Sequence, residues 1–218
     1  MYVKICGLRE PAHAALAAEL GADAVGVVMS PRSSRHASAD EARAVVAAAR
    51  STRADIDTVL VVNTLPAEEA ARLARDLGFT VLQLHGGYLA EDVAAAGALL
   101  PRVWRATSLA QFPGLSAGEL REERLLLDGA TPGSGTTWDL SPLGADPELR
   151  RRIGSDWLLA GGLTPDNVAD AISIARPGGV DVSSGVEHAP GQKHPDSIRR
   201  FMEAARSATS IEGESRHE

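Results

Sequence analysis

Short runs of β-branched and aliphatic residues alternate with Ala-rich stretches of helical spacing along almost the whole chain. That alternation is the strongest constraint on the fold. A strand that returns parallel to its predecessor needs a crossover, and the compact crossover is a helix packed on the sheet. The strand-like runs are "YVKIC" before Gly7, "DAVGVV", "DTVLVVN", "TVLQLHG", "RVWRATS", "RLLLDG", "DWLLAGG" and "GVDVSSG". Helices are expected at about Pro11–Leu20, Ala39–Arg50, Pro66–Leu77, Tyr88–Leu99 and Pro195–Ser207. Ser38 with Glu41 forms a capping-box pattern, and Thr164 followed by Pro165 reads as an N-cap and first helical residue. The unit after the sixth strand is loop-rich, with a short helix expected. Eight such strands predict an α/β fold, a single-domain (β/α)8 TIM barrel with eight parallel strands, over residues 1–207. An open doubly wound sheet is the competing arrangement. Residues 208–218, "ATSIEGESRHE", form a polar tail that is expected to fray.

Composition narrows the function. The 218 residues suit one domain, and hydrophobic residues at 44% suffice for a core. Aromatics are only 4%, so aliphatic side chains must fill most of it. A net charge of −7 argues against a nucleic-acid partner, which would call for a basic field. It does not oppose a phosphorylated small molecule, because backbone N–H groups hold phosphate locally. One cysteine and no signal-like start point to a reducing, cytoplasmic setting. No apolar run reaches the roughly 18 residues of a membrane span.

In a barrel of this kind the chemistry gathers where strands run into the following loops. Those positions are Cys6, the loop from Met29 to Arg35, Asn63, His85, Thr107, Asp128, Gly161-Gly162 and Ser183-Ser184-Gly185. Alternate strand residues face the axis, so Cys6 shares a face with Lys4, His85 with Gln83, and Ser183 with Asp181. A buried Lys4 needs a carboxylate, and Asp181 on the neighbouring last strand is expected to supply it. The turns "AGGLTPDN" and "SSGVE" follow strands seven and eight, where barrels often bind phosphate.

These segments together resemble the phosphoribosylanthranilate isomerase family. The matching pieces are "VKICGL", "GADAVGVV", "SPRSSRHAS", "LQLHG", "LLLDG", "GSGTTWD", "LAGGLTPDNV" and "VDVSSGVEHAPGQKHPDSI", in family order across nearly the whole chain. The resemblance implies an Amadori-type aldose–ketose isomerisation of a phosphorylated aminosugar in tryptophan biosynthesis, with no cofactor and no metal. It implies Cys6 as general base and Asp128 as general acid. Arg35 would meet the anthranilate carboxylate, and Gly161, Gly162, Ser184 and Gly185 the phosphate. His85, Asp181 and Ser183 complete the expected substrate contacts. The base should be a thiolate helped by nearby positive charge, and the acid should be desolvated or close to another anion. A monomer and a homodimer are both compatible with the sequence.

The chain departs from the family pattern at Thr136, where a lysine is usual, and at Gly87-Tyr88, where an acidic pair is common. Arg32 or Lys193 could stand in for that lysine, although Lys193 reads more simply as a surface residue. The Lys4–Asp181 pair reads more simply as structural than catalytic, and His85 fits a satisfied core histidine as well as a site residue. Two rival functions are a histidine-pathway aminoaldose isomerase, disfavoured because that family carries aspartate where this chain has Cys6, and a non-catalytic sugar-phosphate-binding barrel.

Overall fold

The computed structural model describes residues 1–129 and 138–214, with side chains described up to 208. Its eight strands are β1 (Tyr2–Ile5), β2 (Ala24–Val28), β3 (Asp57–Val62), β4 (Val81–His85), β5 (Val103–Thr107), β6 (Arg124–Leu127), β7 (Trp157–Leu159) and β8 (Gly179–Val182). They close into a parallel barrel in chain order, β8 pairing back onto β1. The helices are α1 (Pro11–Glu19), α2 (Ala39–Thr52), α3 (Ala67–Asp76), α4 (Ala90–Gly97), α5 (Ser141–Ala145), α6 (Pro147–Ile153), α7 (Val168–Ala175) and α8 (Pro195–Glu214). A ribbon of β9 (Glu187–Ala189) and β10 (Gln192–Lys193) follows β8. No described helix is long and apolar enough to cross a membrane.

The period-2 pattern of each strand produces two cores. Outward residues such as Ile5, Val27, Leu60, Leu82, Leu125 and Val180 pack under the helices. The inward set includes Val59, Val81, Trp104, Ala106, Leu126 and Leu158. Trp104 is fully buried and does most to fill the lower barrel. Its ring meets Tyr2 edge-on at 5.9 Å, and the Arg124 guanidinium lies 4.2 Å from the Tyr2 ring centre and 5.2 Å from that of Trp104. The Tyr2 hydroxyl donates to Asp57 at 2.7 Å. All of these residues sit at or near strand N-termini, so the barrel is plugged at that end.

Local signals explain most element ends. Ser38 caps α2, accepting from the Glu41 N–H while Glu41 accepts from the Ser38 N–H, the expected capping box. The Thr164 cap is corrected: α7 begins at Val168, and Thr164 instead donates its N–H to the Asn167 side chain at 2.7 Å. Asn167 also donates to the Gly162 carbonyl at 2.9 Å. A side chain bonding its own turn in this way delays the helix. No helix links β5 to β6. Pro113, Gly114 and Gly118 interrupt that segment, and buried Glu122 accepts from the Gly118 and Leu120 N–H groups. The unit after β6 carries two short helices, α5 and α6. The last helix passes Ser207 and runs to Glu214, since no Gly or Pro interrupts it before Gly213.

Replacing Trp104 with Ala should cost about 3–5 kcal/mol of unfolding free energy, the scale for emptying a large aromatic site. Urea unfolding followed by helix ellipticity measures it, and a loss below about 1 kcal/mol would mean that the interior collapses onto the gap.

Candidate active site

The site begins with two side chains on one strand. Lys4 and Cys6 are two residues apart, so both face the axis. Lys4 is wholly buried, and its Nζ lies 3.0 Å from Asp181 Oδ1. The register that closes the barrel pairs Lys4 directly with Asp181, so the expected ion pair is present. Gly26 of β2 makes room above it. A Cβ there would lie 2.8 Å from Cys6 Sγ and 3.2 Å from Lys4 Nζ. Any side chain at Gly26 would displace one or both groups.

Above this layer opens a cavity of about 390 Å³, a volume within the usual range for small-molecule sites. Cys6, Arg35, His85, Asp128, Asp181 and Ser183 all line it. The remaining predicted residues, Gly161, Gly162, Ser184 and Gly185, do not line this cavity but form the adjoining turns. Gly161 and Gly162 have φ of +90° and +67°, a left-handed conformation open to glycine. A Cβ on Gly161 would approach Asp128 Oδ1 to 2.6 Å, and one on Gly185 would overlap the Leu163 carbonyl oxygen. The two turns are therefore pressed together beside Asp128. Thr136 lies outside the described residues.

Asp128 is buried, and burial pushes its carboxyl up to about 6. The Gly129 N–H, donating to Oδ1 at 2.7 Å, and the Lys4 charge act the other way, while the Asp181 anion adds to the rise. His85 Nε2 lies 3.7 Å from Asp128 Oδ2. Burial, and then the Lys4 charge, depress the imidazole, so at neutral pH it adds no cation that would pull Asp128 down. Asp128 is thus a desolvated carboxyl that also feels the Asp181 anion. Cys6 is a correction. Lys4 and Lys193 do favour its thiolate, but burial is the larger effect and raises the thiol above its ordinary value.

Lys193 is a further correction. It is buried, because the β9–β10 ribbon folds back over the strand ends. Its Nζ donates to Glu187 Oε1 at 2.7 Å, to the Ser183 carbonyl at 2.9 Å and to Ser183 Oγ at 3.3 Å. Glu187 also holds Arg35 through two bonds, 2.8 Å from Nε and 2.9 Å from Nη2. One edge of the Arg35 fork is thereby fixed, and its other N–H groups are left for the cavity. Glu187 went unassigned in the sequence because Arg35, which it holds, lies in the loop after β2, far from it in the chain. Gln83, also unassigned, lines the cavity with a buried Oε1 that has no hydrogen-bond partner among the described residues. Its position two residues before His85 was the available signal.

Asp128 should weaken the fold at neutral pH. Its folded-state pKa is raised, so its favourable contribution is full below about 3.8 and is lost as pH rises through about 6. Asp128→Asn keeps the acceptor for the Gly129 N–H and removes the charge. It should stabilise the protein by about 1–2 kcal/mol at pH 7.5 and by little at pH 4. Urea unfolding at the two pH values checks this, and equal effects at both would contradict it.

Comparison with known proteins places this geometry. The family described as N-(5'-phosphoribosyl)anthranilate (PRA) isomerase matches residues 3–204. The N-(5'-phosphoribosyl)anthranilate isomerase of Afipia carboxidovorans is 40% identical, over 99% of this chain and 95% of that protein. The crystal structure of TrpF from Jonesia denitrificans is 50% identical, with a TM-score of 0.84 over 96% of this chain and 98% of that one. A phosphoribosyl anthranilate isomerase in complex with reduced 1-(o-carboxyphenylamino)-1-deoxyribulose 5-phosphate is 33% identical, with a TM-score of 0.80 over 95% of this chain and 99% of that one. Sequence order, barrel closure and the shared span leave one conclusion: this chain belongs to the N-(5'-phosphoribosyl)anthranilate isomerase family.

Proposed function

We propose that the cavity isomerises N-(5'-phosphoribosyl)anthranilate to 1-(2-carboxyphenylamino)-1-deoxyribulose 5-phosphate, an Amadori-type step of tryptophan biosynthesis. One observation carries the reading: a thiol at the end of β1 and a carboxyl raised to about 6 at the end of β6 line the same cavity. The related isomerase that holds the reduced product analogue supports it.

The chemistry needs one acid and one base. Asp128, as the carboxylic acid, gives its proton to the furanose ring oxygen. The C1–O bond breaks, and the nitrogen lone pair forms a C1=N iminium. Cys6, as thiolate, takes the proton from C2, and that electron pair becomes a C1=C2 bond while the iminium pair returns to nitrogen. The resulting enaminol loses its C2 hydroxyl proton and gains one at C1, giving the ketose. No electrons leave the substrate. Return of a proton from the thiol to the carboxylate through solvent restores both groups. Arg35, pinned by Glu187, presents its free N–H groups to the anthranilate carboxylate. The phosphate rests on the N–H groups of Gly161, Gly162, Ser184 and Gly185, where glycine permits close approach. His85, Asp181 and Ser183 complete the wall around the sugar.

The working form holds a thiolate and a carboxylic acid together, although Asp128 titrates below Cys6. It is a minor proton arrangement whose share is constant between the two pKa values. Below about 6 both groups are protonated and the base is missing. Above the thiol value both are ionised and the acid is missing. Plotted against pH, kcat/KM should therefore form a bell with its acid limb near 6, owed to Asp128, and its alkaline limb above the ordinary thiol range. A profile flat between pH 5 and 8 would contradict the assignment. Cys6→Ser and Asp128→Asn should each reduce turnover at least about a hundredfold, measured by the fluorescence of phosphoribosylanthranilate. Near-normal rates in both variants would overturn the reading.

A further inference from the structure

The Lys4–Asp181 pair lies at the base of the cavity, and stability alone gives no reason for it. A buried ion pair adds little or nothing relative to well-packed apolar side chains. Its placement is polar in a literal sense. Lys4 is two residues below Cys6 on the same inward face, and Gly26 keeps the space beside both Nζ and Sγ clear. Asp181 is the member of the pair that reaches the cavity wall, where Asp128 and His85 also lie. We propose that Lys4 and Asp181 are positioning residues that divide the cavity, the ammonium facing Cys6 and the carboxylate facing Asp128, so that one half favours a thiolate and the other a neutral carboxyl.

The inference rests on the reading above for the identity of the two reacting groups and adds what sets their proton affinities. The order of influences agrees with the geometry. After burial, Lys4 is the largest influence on Cys6 and exceeds Asp181, whereas Asp181 acts on Asp128 more strongly than Lys4 does. Lys4 keeps its charge despite burial, because Asp181 and Cys6 both favour it. Other groups face the same atoms. Lys193 of the ribbon also lowers Cys6, and is itself tied to Glu187 and neighbours Arg35. His85 from β4 and the Gly129 N–H face Asp128. Of these groups, only Lys4 and Asp181 act on both the thiol and the Asp128 carboxyl.

The chain has one cysteine, so alkylation by iodoacetamide across pH reports Cys6 alone and needs no substrate. Asp181→Asn removes the anion and leaves the ammonium. It should lower the alkylation midpoint by about one pH unit, roughly tenfold faster reaction at a fixed pH below it. Lys4→Met removes the cation and should move the midpoint up by a similar amount. In Asp181→Asn the acid limb of kcat/KM should also fall below its wild-type position, because Asp128 loses its anionic neighbour. Opposite shifts are the signature of the electrostatic role. A purely structural pair predicts either no shift or the same loosening in both variants, and that result would overturn the proposal. If Lys4→Met does not fold, the neutral Lys4→Met/Asp181→Asn protein replaces it. Its midpoint should still lie above wild type, since the nearer charge is the ammonium, and a midpoint at or below wild type counts against the proposal. Absence of turnover in the wild-type protein would defeat the isomerase reading, while the alkylation midpoints would stand or fall by themselves.

Discussion

The barrel closes around one buried ion pair. Lys4 and Asp181 are 177 residues apart in the chain and 3.0 Å apart in space. Burying either charge is costly, and each offsets part of that cost for the other. The pair therefore forms only when the last strand docks against the first in the register that aligns the two residues. That register also sets Ser183, two residues beyond Asp181, against the first strand end, where its Oγ donates to the Cys6 carbonyl at 3.2 Å. A slip of one residue would turn Lys4 and Cys6 to the outer core.

Interior space is divided along the barrel axis. The lower end is filled by Trp104, Tyr2 and the Arg124 guanidinium, a dense use of scarce aromatic residues. The upper end has small or polar residues at the same inward positions: Gly26, Cys6, Asp128 and Ser183. Their volume deficit is the cavity. Because the lower plug is packed and the upper layer is polar, titratable groups lie close to a low-dielectric floor. That accounts for the upward shifts of Asp128 and Cys6. The same desolvation that suits Asp128 to the proposed acid role makes its charged form unfavourable to the fold, an ordinary conflict between stability and function.

The rim is held by polar contacts that tie the loop after β2 to the ribbon after β8. Glu187 gathers Arg35 from the loop after β2 and Lys193 from β10. Each of the three side chains is mostly buried, and Glu187 satisfies both cations. Removing Glu187 would leave two cations close together next to Cys6, so the carboxylate fixes geometry and local potential at once. The β7 and β8 turns are likewise interdependent, because a side chain at Gly185 would collide with the Leu163 carbonyl oxygen.

Much of this was legible in the residue order. Strand periodicity placed Lys4 with Cys6 and Gln83 with His85, the capping box at Ser38 marked the start of α2, and glycine turns marked the ends of β7 and β8. Such features are local: they depend on side-chain alternation, cap chemistry and backbone freedom, which a short window contains. Even the Lys4–Asp181 contact followed, since closure makes the first and last strands neighbours. The burial of Lys193, the two-bond hold of Glu187 on Arg35, the failure of Thr164 to cap and the net upward shift of Cys6 did not follow. The Thr164 outcome is a local competition that Asn167 wins; the others balance groups from separate segments and depend on how much water is excluded. By itself the sequence determined the positions of the eight strands, the shared faces of alternate residues such as Lys4 and Cys6 and, through the family resemblance, the acid and base candidates. Only the tertiary structure decided which charges are neutralised, because desolvation and ion pairing depend on distances that no residue spacing contains.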